Sequence, residues 1–215
     1  MDTAETDALV ARRSDVFAGE QPALTATAPR TGESLRLRRP QARDIDAIVT
    51  TCRDPESIRW TTVPNPYQRS DAEFFVGPYA DERWTKGMGA LFVIADATDT
   101  YVGSMELRLS PVDELLADVG YMTAPHARGH GYGPAALAAV CRWGFTALGL
   151  VRIEWRSNVG NTASRRMAEK AGFIFEGTAR SALSHRGQRV DAWVAALLAT
   201  DPVPGADQAA REITP

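Results

Sequence analysis

His126-Ala127-Arg128-Gly129-His130-Gly131-Tyr132-Gly133-Pro134-Ala135-Ala136-Leu137 sets three glycines at alternate positions, just behind an arginine and ahead of an apolar run. Without Cβ atoms, such a turn lets the chain press its N–H groups against an anion. A helix starting there adds the partial positive charge of its dipole at the same point. The stretch reads as a phosphate cradle at the mouth of a helix over Gly133–Leu148. Outward from it, Leu116–Thr123 and Val151–Trp155 have strand character. Thr162–Ala171 reads as a helix that Gly172 ends from the C-cap position.

Spaced glycines alone serve packing as well as ligand binding. Gly131-Tyr132-Gly133-Pro134-Ala135-Ala136 also satisfies a relaxed G-x-G-x-x-A, and Glu154 falls about 20 residues later, where a dinucleotide fold places its ribose-binding acid. Against that reading, Glu154 lies inside its strand rather than at the end. Ala124-Pro125-His126-Ala127 also separates the preceding strand from the glycines, where that fold needs a tight turn.

Elsewhere, Leu35-Arg36-Leu37-Arg38 alternates like a half-buried strand and stops at Pro40. Ala42–Cys52 carries Ile45, Ile48 and Val49 at helical spacing, and Ser70-Asp71-Ala72-Glu73 starts a helix with a serine cap. Leu91–Ala95 and Tyr101–Leu109 form a hairpin around Asp96–Thr100. Phe173–Thr178 and Val190–Leu198 pair around Arg186-Gly187. The sum is an α+β fold, a mixed sheet of about seven strands with helices between them. Residues 1–33, punctuated by Pro22, Pro29 and Gly32, read as a mobile extension with a short helix around Asp7–Phe17. Residues 34–200 form one folded domain, and 201–215 read as a disordered tail.

With 44% apolar and 24% charged residues, the 215-residue chain can fill a core. A net charge of −3 supplies no broad positive field, so a general nucleic-acid partner is not expected and any anion needs a local basic patch. Cys52 and Cys141 are too few for a disulfide framework or a metal set and read as reduced thiols. No apolar run approaches membrane-spanning length, and the Arg12-Arg13 pair is not followed by an apolar signal stretch. A cytoplasmic protein without membrane partner or metal, monomeric or homodimeric, is the expectation.

The run Arg128-x-x-Gly131-x-Gly133 resembles the acyl-CoA pyrophosphate loop (R/Q-x-x-G-x-G/A) of the GNAT acetyltransferases. Asp118-Val119-Gly120-Tyr121-Met122 is similar to that family's fourth strand. Asn161 through Phe173 resembles the N-x-A-S-x-x-x-x-E-K-x-G-F signature of its Rim-type branch, which includes ribosomal-protein N-terminal acetyltransferases. Asp191-Ala192-Trp193 is similar to its closing strand. The resemblance covers about Leu35 to Ala199 and is tightest in the second half. It implies a mixed, mostly antiparallel seven-stranded sheet, splayed between the fourth and fifth strands and flanked by about four helices.

The resemblance also implies roles. Acetyl-CoA is the acyl donor, its pyrophosphate held by N–H groups of Gly129, His130, Gly131, Tyr132 and Gly133, with Arg128 shaping the turn. Tyr121, Met122 and Thr123 offer backbone bonds to the pantetheine arm, and an N–H near Met122 faces the thioester carbonyl. Asn161 and Ser164 contact pantetheine and thiol, with Ser164 the candidate general acid. Asp118 and Glu106 are candidates for ordering the water that takes the amine proton. Trp60 and Tyr67 wall the acceptor pocket.

The acceptor is a primary amine, favoured as a protein or peptide N-terminus. An α-amine of pKa about 8 is roughly one-tenth neutral at pH 7, whereas lysine near 10.4 is neutral in fewer than about one molecule per thousand. A small-molecule amine such as an antibiotic or polyamine is the alternative, and a non-catalytic acyl-CoA-binding regulatory domain is another. Pro134-Ala135 stands where relatives carry Thr-Glu. Proline is tolerated in a first helical turn, but any role of that glutamate is lost.

Overall fold

The computed structural model describes residues 3–204. Helix α1 (Thr3–Ala18) and strands β1 (Leu24–Thr27) and β2 (Ser34–Arg38) come first, followed by helices α2 (Ile45–Cys52), α3 (Pro55–Trp60), α4 (Arg69–Phe74) and α5 (Ala80–Thr85). Strands β3 (Gly89–Ala95), β4 (Tyr101–Leu109) and β5 (Leu116–Thr123) lead into α6 (Tyr132–Leu148). Then come β6 (Arg152–Asn158), α7 (Thr162–Lys170), β7 (Ile174–His185) and β8 (Gln188–Leu198). The strands form one sheet in the order β1-β2-β3-β4-β5-β6-β8-β7, antiparallel except for the parallel β5/β6 pair.

The eighth strand comes from the segment expected to be mobile. Leu24–Thr27 pairs with Ser34–Leu37 and gives the sheet its edge. Ala26 on it and Ala28 just beyond are buried. The guanidinium groups of Arg12 and Arg13 donate to the carbonyls of Thr146 and Leu148 at the C-terminal end of α6. Cations at that pole also oppose the helix dipole. Trp84 Nε1 donates to Gly19 O at 2.8 Å, and Phe17 meets the Trp84 ring edge-on at 4.8 Å. Residues 11–33 are therefore anchored rather than a mobile extension. The rest of the expected disordered tail, from 205 onward, lies outside the described residues.

Local chemistry explains the elements. β3 is buried along its whole length, so its sequence, Gly-Ala-Leu-Phe-Val-Ile-Ala, is continuously apolar rather than alternating. α6 opens at Gly131 and closes at Gly149, both left-handed. Leu137, Val140 and Cys141 of α6 sit in a core with Leu35, Leu37, Phe92, Leu107 and Ile153. The cap expected at Ser70 moves to Gln68, whose N–H donates to the Asp71 carboxylate at 2.7 Å.

One feature of the sheet positions the site. β5 and β6 pair only from Leu116–Val119 to Arg152–Trp155. Beyond Val119, residues Gly120–Thr123 stay with β4, while Arg156–Asn158 stay with β8, which pairs with β6 along its whole length. The strands splay, as expected for the family's fourth and fifth strands, which are β5 and β6 here because β1 adds one to the count.

Candidate active site

The splay opens into a cleft of about 1400 Å³, lined by the glycine loop, the free edge of β5, the start of α7, the α3–α4 segment and the end of β7. At one end lies the glycine run. Gly129 has φ +81° and Gly131 φ +85°, backbone that side-chain-bearing residues rarely adopt. Gly133 has a different reason: a Cβ there would lie 2.5 Å from Met167 Sδ, so its absence lets α6 and α7 approach. Packing and ligand access therefore divide the glycines between them. The N–H groups of Tyr132 and Gly133, in the first turn of α6, have no acceptor within the helix.

The side chains around the loop hold its shape. Arg128, though exposed, donates to Asp54 Oδ2 at 2.5 Å and Ser57 Oγ at 3.3 Å at the start of α3. That guanidinium holds the Asp54 carboxyl below the usual carboxylate range, helped by the Ser57 backbone N–H. His130 stacks on Tyr132 at 5.3 Å and sets Nδ1 3.1 Å from Arg128 O. The Tyr132 hydroxyl donates to Glu33, and Arg30 Nη1 donates to Gly129 O at 2.7 Å.

At the gap, register decides which N–H groups are available. Ala124 N donates to Val102 O and Ser110 N to Leu116 O, so alternate β4/β5 pairs exchange hydrogen bonds, Ser104/Met122 among them. The Met122 N–H therefore faces β4, and the N–H groups of Tyr121 and Thr123 face the gap. Of the N–H groups near Met122, those of Tyr121 and Thr123 rather than its own are therefore free toward the gap. The Met122 side chain rests against α2, with Sδ 3.9 Å from Cys52 Sγ.

Across the gap, Asn161 caps α7 by accepting Ser164 N at 3.2 Å. Ser164 Oγ accepts from Trp155 Nε1 and donates to the Tyr121 hydroxyl, both at 3.1 Å. The Tyr121 hydroxyl in turn donates to Ser164 O at 3.0 Å. Burial raises the Tyr121 pKa above the ordinary phenol value, so this hydroxyl stays protonated. Ser164, Tyr121 and Trp155 thus form one connected group at the mouth of the splay.

The two candidate carboxylates share one guanidinium. Asp118 accepts from Arg108 Nε at 3.0 Å and Nη2 at 2.6 Å, while Glu106 accepts from Arg108 Nη1 at 3.2 Å. Glu106 also accepts from the Tyr79 hydroxyl at 2.7 Å and pairs with Arg83 at 3.0 Å. Arg108 lies across Gly120, where a Cβ would come 2.6 Å from Nη1. Neither carboxylate stands alone as a base. Trp60 is half-buried on α3, its Nε1 donating to Glu56 at 2.9 Å, and it borders the cleft opposite Gly160. Tyr67 is buried against Cys52 and shows only an edge to the cleft.

Sequence reading missed Arg108, Trp155, Arg30 and Arg186. Arg186, at the β7–β8 turn, donates to the carbonyl of Ile58 at 2.8 Å and of Thr61 at 3.3 Å. None of these contacts has a local sequence signal. Among the described residues, no group of three or more His, Cys, Asp or Glu could hold a metal ion, and no helix is long and apolar enough to cross a membrane.

A family model described as an acetyltransferase (GNAT) domain matches residues 34–174. Over 166 residues the chain is 25% identical to an uncharacterized N-acetyltransferase p20 of Bacillus licheniformis, covering 77% of this chain and 93% of that protein. Its fold is similar to that of Mycobacterium smegmatis RimJ in complex with CoA-disulfide, with TM-score 0.72 and 22% identity over 82% of this chain and 87% of the other. It is also similar to spermidine N-acetyltransferase from Vibrio cholerae in complex with CoA and spermine, with TM-score 0.65 and 20% identity over 77% and 96%.

Proposed function

The chain belongs to the GNAT acetyltransferase family, and from that premise we propose that it moves the acetyl group of acetyl-CoA to the α-amine of a protein or peptide by direct attack. The observation that carries the reading is the β5/β6 splay, with a left-handed glycine loop at one end and the Ser164–Tyr121–Trp155 group at its mouth. The residues fit the donor. Loop N–H groups and the α6 dipole suit a pyrophosphate, and the Tyr121 and Thr123 N–H groups suit an extended amide-bearing arm. The solved relatives named above carry CoA.

The reaction joins the amine nitrogen to the thioester carbonyl carbon and breaks the carbon–sulfur bond. Gap-facing N–H groups of β5 would steady the carbonyl oxygen as it gains charge. Ser164 would hand its proton to the leaving sulfur, with the Trp155 N–H supporting its oxygen and the Tyr121 hydroxyl beside it, and would regain one from solvent, which receives the proton the amine loses. Glu106 and Asp118, tied to Arg108, would at most order a water that accepts the proton lost by the amine.

That pairing is the specific support for an α-amine. Both carboxylates are taken up by guanidinium donors, and an acceptor of pKa about 8 needs little base. Arg83 and Arg108 also offset the charges of Glu106 and Asp118, so this wall offers no surplus negative charge to a polycation such as spermine. The Rim-type signature from Asn161 to Phe173 points the same way.

The test is thiol release from acetyl-CoA with a panel of amines, followed by intact mass of the products. Peptides with free N-termini are expected to gain one acetyl group and blocked ones none. Reaction with only polyamines or antibiotics would overturn the acceptor class. Acetyl-CoA binding without amine-dependent thiol release would overturn the catalytic reading.

A further inference from the structure

We propose that Arg30, on the turn between β1 and β2, is a phosphate-binding residue of the acetyl-CoA site, directed at the pyrophosphate beside the glycine loop. The inference rests on the acetyl-CoA reading above and extends the site into a segment that none of the resembling motifs includes.

The turn is a built structure. Ala28 N donates to Glu33 O at 2.9 Å and Gly32 N to Ala28 O at 2.8 Å, with Gly32 at φ +71°. It is stapled to the glycine loop at two points, Arg30 to Gly129 O and the Tyr132 hydroxyl to Glu33. A Cβ at Gly131 would lie 3.4 Å from Arg30 Cβ, so the turn covers one flank of the loop. Pro29 and Arg30 line the same cleft as Gly129, Gly131 and Tyr132.

Charge separates the two arginines at this loop. Arg128 has its charge offset by Asp54 at 2.5 Å. Arg30 forms no ion pair among the described residues, and Glu33, the acid on its own turn, receives the Tyr132 hydroxyl. A guanidinium has five N–H donors in a planar fork, and the 2.7 Å bond to Gly129 O uses one. A staple alone would need only a neutral donor. An unpaired, exposed guanidinium held beside the N-terminal pole of a seventeen-residue helix adds charge where the loop already presents N–H groups. Anchoring through Gly129 O aims the remaining donors from a fixed point. Ordering the fork before binding lowers the entropic cost of a phosphate contact.

The experiment measures affinities of the full chain for coenzyme A, 3′-dephospho-coenzyme A and pantetheine by calorimetry, for wild type, Arg30→Ala, Arg30→Gln and Arg30→Lys. Arg30→Ala and Arg30→Gln are expected to weaken coenzyme A and its dephospho form about tenfold each, the size of one charge-assisted contact, and to leave pantetheine unchanged. Arg30→Lys should retain most of the affinity and its dependence on ionic strength, which the neutral variants lose in part. Wild-type affinity in Arg30→Gln would overturn the proposal, because a neutral donor to Gly129 would then suffice. Equal weakening of pantetheine would also overturn it, as the sign of a distorted cleft. A loss confined to coenzyme A would move the contact to the 3′-phosphate and overturn the pyrophosphate assignment. Failure of the wild type to bind coenzyme A would strike the acetyl-CoA reading itself.

Discussion

Gly103→Ala tests whether the free edge of β5 positions the reacting thioester. Gly103 on β4 stands opposite Thr123 on β5, and an added Cβ would lie 2.5 Å from Met122 O and 3.4 Å from Thr123 Cα. Close carbon–oxygen contacts between strands run to about 3.3 Å, so the two strands must part by roughly 0.8 Å. The obstruction is backbone and cannot swing aside as a side chain would. Such overpacking costs about 1–3 kcal/mol, which in a chain of this size lowers the thermal midpoint by roughly 2–12 °C. The displacement falls on Tyr121–Thr123, where a misplacement near 1 Å costs on the order of 100-fold in rate. Expected, then, are a folded variant, kcat/KM for acetyl-CoA down by about two orders of magnitude, and coenzyme A affinity within about threefold of wild type, because the proposed phosphate contacts lie at the glycine loop, away from the clash. Leu35→Ala is the control: it empties a buried site on β2 at about 2–5 kcal/mol but keeps kcat/KM per folded molecule. A destabilised Gly103→Ala enzyme with wild-type kcat/KM would refute the role of this strand edge, and an unchanged midpoint would refute the clash.

Ser164→Ala is expected to lower kcat at least 100-fold and to destabilise the fold by about 1–3 kcal/mol, since the buried Trp155 N–H loses its acceptor. Steady-state kinetics beside denaturant titration would show both, and retained kcat would remove Ser164 as the acid. For a peptide acceptor, kcat/KM should rise with pH through an apparent pKa near about 8, that of the acceptor itself, in wild type and Asp118→Asn alike. A limb lost in Asp118→Asn would instead identify that carboxylate as the base. Asp54 is held below its normal pKa, chiefly by Arg128. Its stabilising effect is therefore fully present above the unfolded pKa of about 3.9 and fades as pH falls through the lower folded value. Coenzyme A affinity followed by fluorescence titration should lose an acid limb below about pH 4 in Asp54→Asn.

The cofactor loop could be read from the sequence because its requirements are local. Left-handed backbone at Gly129 and Gly131 and the Asn161 cap each depend on residues a few positions apart, whereas the close approach at Gly133 is set by Met167 on another helix. The orientation of Met122 could not, since it turns on whether the β4/β5 ladder bonds at even or odd positions, and side-chain pattern leaves that phase open. Glu106 and Asp118 were recognisable as acids on neighbouring strands. Their capture by Arg108 and Arg83 follows from cross-strand geometry and the placement of α5. Arg12, Arg13 and Arg30 look like solvated charges in a polar leader. Their acceptors are backbone carbonyls 134, 135 and 99 positions away, and a carbonyl carries no sequence identity.

Two further long-range bonds, from Arg128 and Arg186, join the two halves of the cleft. α3 has six residues, too few for an isolated helix to persist in water. Its N-terminus is capped by Asp54, which also receives Arg128 from the cofactor loop, and the Ile58 carbonyl receives Arg186 from the β7–β8 turn. Trp60, at its last position, borders the cleft where the acceptor is proposed to enter. The residue that braces the glycine loop therefore also holds the helix that carries Trp60. Arg128→Ala should accordingly raise KM for both acetyl-CoA and the peptide, whereas Arg186→Ala should raise KM for the peptide alone. If kinetics on both substrates gave an Arg128→Ala effect confined to acetyl-CoA, α3 would not be the strut between the two sites.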